Sequence, residues 1–182
     1  MLERLAISDI VLITPKKFAD NRGYFSETYK QSWFRANVAE ADFVQDNLSL
    51  SRHAGTVRGL HFQRPPAAQG KLVRCLRGSI FDVAVDMRYG SPSFGRWVAA
   101  TLTAEGGKQM WIPEGFAHGF CTLEPDVEVF YKVTAEYSPQ HDAGFAFDDP
   151  AVAVDWPVAP EKAILSPKDQ GLPRLDQLGE VF

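Results

Sequence analysis

The chain has 182 residues, 45% hydrophobic and 23% charged, which is enough for one substantial core and ordinary for a single globular domain spanning residues 1 to 182. A net charge of -4 with no basic run argues against a nucleic-acid partner, whose phosphates require a clustered basic footprint. Two cysteines, Cys75 and Cys121, belong to no CxxC pair, so they form no disulfide framework and read as buried small apolar residues in a reducing compartment.

In chain order, MLERLAISDIVLITPKKFADNRG carries acidic residues early and falls far short of the roughly 20 apolar positions needed to span a bilayer, so a cytoplasmic protein with no membrane partner is expected. QSWFRANVAEAD, residues 31 to 42, is the one stretch that reads as a helix. Almost everything after it reads as strand. NLSLS is followed by VRGLHFQ and KLVRCL, which look like the arms of a hairpin closed by the proline-rich turn RPPAAQG. In the first arm, period two groups His61 and Gln63 with Val57 and Gly59 and sends Arg58 to the other face. Arg58 and His61 can serve one site only if the strand bends or bulges, which Gly59 permits.

IFDVAVDMR, residues 80 to 88, sets Phe81, Val83, Val85 and Met87 against Asp82, Ala84, Asp86 and Arg88, the pattern of a strand with one buried face. RWVAATLTA, KQMWIP and HGFCTLE are further strands, separated by Gly and Pro signals. In VEVFYKV, residues 127 to 133, Tyr131 shares a side with Val127, Val129 and Val133 and so points to the interior. From SPQHDAG onward the chain is rich in Pro and Asp and is expected to wrap the strands as loops and short helical turns. Many short strands with hardly any helix imply an all-β antiparallel sandwich or small barrel. Polar residues aimed into such an interior cost several kcal/mol each unless a network or a ligand receives them. Spacing alone allows the plainer reading, a solvated outer face.

The segments FADNRGYFSETY, QDNLSLS, VRGLHFQ, QGKLV, PEGFAHGF, YKVTAEY and SPKD, running from residue 18 to residue 169, resemble in order the motifs of the dTDP-4-dehydrorhamnose 3,5-epimerase family. The resemblance implies a cupin-like antiparallel jelly-roll barrel with few short helices. It also implies a dTDP-linked 4-keto-6-deoxyhexose substrate, dTDP-4-keto-6-deoxy-D-glucose, inverted at C3 and C5, and a homodimer in which NRGYF reaches towards the partner's site. By similarity His61 is the base, Asp169 its carboxylate partner, Lys71 the enolate stabiliser and Tyr131 the acid on the opposite face. Those types suit the chemistry, because hydrogens at C3 and C5 lie α to a C4 ketone and need a base near neutral pKa and preorganised positive charge.

Substrate-binding residues carried over in the same way are Phe18, Arg22, Glu27, Gln45 and Asn47 around the nucleotide, Arg58 and Lys168 at the diphosphate, and Tyr137 as a stacking or sugar-side residue. His118 either lines the sugar pocket or is structural. Metal-binding cupins offer an HxH pair with further ligands, whereas here LHFQ holds a single histidine, so neither metal nor cofactor is expected. Two other readings stay open: an epimerase that inverts C3 alone, and a catalytically silent or metal-dependent cupin.

Overall fold

The computed structural model describes residues 1–182. Its elements run β1 (Leu2–Arg4), β2 (Val11–Ile13), β3 (Phe18–Asp20), β4 (Gly23–Phe25), α1 (Gln31–Asn37), β5 (Gln45–Ser51), β6 (Val57–Gln63) and β7 (Lys71–Arg77). They continue with β8 (Ser79–Asp86), β9 (Trp97–Thr103), β10 (Gln109–Ile112), β11 (Phe116–Thr122), β12 (Val127–Val133), β13 (Asp142–Gly144) and α2 (Pro167–Gln170). No helix is long and apolar enough to cross a membrane.

Two antiparallel sheets face each other, ordered β1-β2-β10-β7-β12-β5 and β13-β6-β11-β8-β9. The cupin-like arrangement expected from the resemblance is present, as a sandwich of open sheets and not a closed ring. β6 and β7 do not form the expected hairpin. They belong to opposite sheets, and RPPAAQG carries the chain from one layer to the other. Proline in that connection is tolerated because no ladder runs through it.

One end of the interlayer space is an apolar core, in which Leu12, Val73, Met110, Ile112, Val127 and Val129 meet Ile80, Ala84, Leu102, Phe116 and Phe120. Each of these side chains larger than alanine contributes about 1.5–3 kcal/mol on burial. That sum offsets a polar end, where Arg58, His61, Lys71, His118 and Tyr131 line open space.

β8 departs from the expected single buried face. Val83 and Val85 pack outward under the C-terminal segment with Phe145, Val152 and Leu175, while Ile80, Asp82 and Ala84 occupy the buried interlayer face. The segment after β13 does wrap the sheet as loops and short turns, and this second cover is what seals both faces. The helix ends at Asn37, five residues before the expected end, because the chain there turns towards β5 and Asp42 reaches back to Gln31 and Arg35. Cys75 and Cys121 are buried as expected.

Candidate active site

His61 reaches the interlayer space through an irregularity in β6. Its register with β11 pairs His118 with His61 and Phe120 with Arg58, so three steps on β6 match two on β11. The extra residue flips the alternation. Arg58, His61 and Gln63 therefore share the inward face, and Val57 and Leu60 pack outward. The sequence grouping of His61 with Val57 is thus corrected, and the bulge that Gly59 permits is present. Gly59 has φ +122°, and a Cβ there would lie 2.6 Å from Gly119 Cα, so only glycine fits.

A cavity of about 290 Å³ is lined by Ser49, Arg58, His61, Lys71, His118, Phe120, Tyr131, Ser166, Lys168 and Asp169. His61 Nε2 lies 2.5 Å from Asp169 Oδ1 across 108 positions of sequence. Ser166 Oγ donates to Asp169 Oδ2 at 2.9 Å and accepts the Asp169 N–H at 3.1 Å, capping α2. Burial alone would raise the Asp169 pKa. The hydrogen bond and charge of His61, the Ser166 hydroxyl and Lys168 outweigh it and hold the carboxyl below its ordinary range. Since Asp169 occupies Nε2, the other ring nitrogen of His61, Nδ1, is the one left for a reacting proton.

Lys71, the first residue of β7, is buried, with Nζ 3.4 Å from the His61 carbonyl oxygen. Burial pushes its pKa down to about 8, against the pull of Asp82 and Asp142 and with the push of Lys168. Near neutral pH it still carries its proton. Tyr131 comes from β12 in the sheet opposite His61, on the inward side as expected. Burial raises its pKa, with Arg58 and Lys168 opposing and Asp142 adding, so the phenol keeps its proton.

His118 also lines the cavity, with Nε2 2.7 Å from Asp82 Oδ1. Burial lowers the His118 pKa and raises that of Asp82, outweighing their mutual attraction. Arg58 is oriented by Nε donating to Ser51 Oγ and Nη2 donating to the Leu50 carbonyl, both at 3.0 Å. No group of three or more His, Cys, Asp or Glu side chains is placed to hold a metal ion.

An adjoining cavity of about 200 Å³ shares His61, Lys71, Tyr131 and Lys168 and adds Gln45, Asn47, Gln63, Gln69, Tyr137 and Asp142. Gln45 donates to Asn47 Oδ1 at 2.8 Å and accepts the Tyr137 N–H at 2.9 Å. Lys168 Nζ and the Tyr137 hydroxyl both donate to Asp142 Oδ2.

Phe18, Arg22 and Glu27 are not brought to either of these cavities. They lie on or beside the β3-β4 hairpin, which pairs with neither large sheet. Arg22 is exposed and paired with Asp20, while Phe18 and Glu27 line a separate cavity with Tyr29 and Trp33 beside α1. Ser49, Ser166, Asp82 and Asp142 were not singled out from the sequence. Ser166 was findable, since S-P-K-D is a Ser-x-x-acid helix start. Asp82 was hidden by an alternation that set it opposite the valines.

A family model described as dTDP-4-dehydrorhamnose 3,5-epimerase matches residues 4–177. The protein of that name from Sinorhizobium fredii is 56% identical over 180 residues, covering 99% of this chain and 92% of the relative. That of Salmonella typhimurium is 49% identical over 177 residues, covering 96% of this chain and 94% of the relative. Among solved structures, the dTDP-6-deoxy-D-glucose-3,5-epimerase of Legionella pneumophila, in complex with dTDP-4-keto-L-rhamnose, has TM-score 0.93 at 41% identity and covers 98% of this chain and 94% of its own. With sequence and fold matching along nearly the whole length, the chain belongs to the dTDP-4-dehydrorhamnose 3,5-epimerase family.

Proposed function

We propose that this chain inverts C3 and C5 of dTDP-4-keto-6-deoxy-D-glucose to give dTDP-4-keto-L-rhamnose, without a metal or other cofactor. The observation that carries this reading is that His61, tied to Asp169, shares one cavity with Lys71 and Tyr131. His61 and Tyr131 come from opposite sheets, and inversion needs a proton taken from one face of the ring and returned to the other. In this reading His61 Nδ1 removes the proton α to the ketone, and the electron pair moves to the C4 oxygen as an enolate beside the Lys71 ammonium. The Tyr131 hydroxyl then delivers a proton to the opposite face, and both side chains return to their starting protonation through solvent. The same cycle serves the second carbon.

Arg58 and Lys168 supply cationic donors for the diphosphate, and Gln45, Asn47 and Tyr137 line its nucleotide end. Residues 1 to 182 act as one epimerase unit, working in the cytoplasm as a homodimer. Two features support the dimer: the hairpin that carries Phe18 and Arg22 away from this chain's own cavity, and the exposed Leu48, Leu50 and Leu76 on the outer face of the six-stranded sheet.

The test is proton NMR of the substrate with metal-stripped protein in D2O, following C3 and C5 separately. Deuterium entry with inversion at both carbons is expected; inversion at C3 alone would assign the protein to the single-centre reaction, and no exchange would reject the epimerase. Tyr131→Phe is expected to keep proton removal but slow inversion about a hundredfold, so the substrate takes up deuterium from the solvent without changing configuration.

A further inference from the structure

Gln63 is two residues beyond His61 on the inward face of β6 and is 3% exposed, yet the proposed chemistry does not use it. Its carboxamide makes three contacts, all to backbone. Nε2 donates to the Ala67 carbonyl at 2.7 Å and to the Glu136 carbonyl at 3.1 Å, while Oε1 accepts the Ser138 N–H at 2.7 Å. Two carbonyls on one side and an N–H on the other admit only one orientation of the amide.

The geometry is pointed. Glu136 and Ser138 flank Tyr137, so one side chain holds the peptide groups on both sides of that residue. Tyr137 itself is 56% exposed and is otherwise anchored by its own N–H to Gln45 and its hydroxyl to Asp142. Neighbouring contacts close the same seam: Gln69 Nε2 donates to the Ala135 carbonyl at 2.7 Å, and Gly70 N–H donates to Thr134 Oγ1 at 2.8 Å. The crossover loop that separates β6 from β7 is thereby fastened to the loop carrying Tyr137.

We propose that Gln63 is a positioning residue that sets Tyr137 at the mouth of the site, coupling the strand of His61 to the loop that meets the nucleotide end of the substrate. The inference rests on the nucleotide-sugar reading above. It acts on binding and leaves proton transfer to the groups around His61. Removing the carboxamide strands the Glu136 and Ala67 carbonyls and the Ser138 N–H, and a loop with unsatisfied buried groups shifts until water reaches them.

The experiment is a calorimetric titration with dTDP of the wild-type chain, Gln63→Leu, Tyr137→Ala and the double variant, with steady-state kinetics on each. Gln63→Leu is expected to weaken dTDP about tenfold and raise KM similarly while kcat changes less than about threefold. The double variant should bind no more weakly than Tyr137→Ala alone, because Gln63 acts through Tyr137. Additive losses, or unchanged dTDP affinity in Gln63→Leu, overturn the proposal. If Gln63→Leu does not fold, Gln63→Glu keeps the length and the acceptor but loses both donors, and it must show the same split between KM and kcat. A wild-type chain that fails to bind dTDP removes the nucleotide-sugar reading itself, a result distinct from wild-type binding that the Gln63 variants leave untouched.

Discussion

Two histidine-carboxylate pairs stand side by side in this molecule, and they differ in one physical respect. His61 and His118 are direct register partners on β6 and β11, each within hydrogen-bond distance of an aspartate. The His61 side chain is 27% exposed and that of His118 is 7% exposed. Asp169 keeps its charge because His61 and Ser166 bond both its oxygens. Asp82 is fully buried, its Oδ2 has no partner, and burial pushes its pKa up. Exposure and second-oxygen bonding, more than residue type, therefore separate a pair open to a ligand from one whose charged forms burial disfavours. A neutral His118 can hydrogen-bond a ketone but is poorly placed to carry a proton.

The two pairs part most widely when their histidines are replaced. His61→Asn is expected to slow exchange at both C3 and C5 by about a thousandfold while dTDP affinity stays within about threefold. His118→Asn should cost about tenfold, since only a hydrogen bond is lost. Deuterium incorporation followed by NMR reads both, and equal losses would erase the distinction between the pairs.

Lys71 lies near both pairs and gives the next largest effect. Lys71→Met should lower kcat several hundredfold, about the loss seen when a preorganised charge is removed from a developing oxyanion. Its stability should move the other way. The folded pKa of about 8 lies below the ordinary 10.5, so folding carries a penalty that is fully present below pH 8. Between these values the unfolded chain binds more protons, and wild-type stability rises with pH. Thermal melts should therefore show Lys71→Met more stable than wild type at pH 7, with the gap closing as pH approaches 10.5.

How much of this was readable from the sequence follows the same division between local pattern and long-range cover. The inward direction of Tyr131 was legible because its valine neighbours fix the period. The bulge at Gly59 was legible as a requirement, since Arg58 and His61 could not otherwise share a site. The partition of β6 and β7 between sheets was not, because a proline-rich connection looks the same whether it closes a hairpin or crosses a layer. Asp82 was misplaced for a related reason. Period two distinguishes the faces of β8 but cannot say that the C-terminal segment will cover the valine face and leave the aspartate between the sheets. The contact between His61 and Asp169 spans 108 residues and came from family resemblance alone. The displacement of Phe18, Arg22 and Glu27 from this chain's own cavity had no local signal either.

The carboxylates separate the pairs further. Asp169→Asn should reduce turnover about a hundredfold, because His61 loses the charge that fixes its tautomer and supports its protonated form. Asp82→Asn should cost less than about tenfold, as the amide oxygen can still accept from His118. Steady-state rates at pH 7 decide between them, and a reversed order would make His118 and Asp82 the working pair.

Ser166 is the residue that sets the two aspartates apart. Ser166 gives Asp169 what Asp82 lacks, a donor for its second oxygen, and it also caps α2 by accepting the Asp169 N–H. Ser166→Ala removes both. Loss of the cap should lower stability by about 1 kcal/mol, visible in a denaturant melt at pH 7. Loss of the hydroxyl should raise the Asp169 pKa, since that bond is one of the causes holding it down. Asp169 contributes stability above its unfolded pKa of 3.8 and loses it as pH falls through the lower folded value. Weakening the shift means the variant has less of this contribution, so its deficit should be widest above pH 4 and narrow below it, leaving only the cap. Turnover should fall about threefold, with the acid limb of the pH-rate profile moved upward. A deficit independent of pH would confine Ser166 to capping, and the two pairs would then differ by exposure alone.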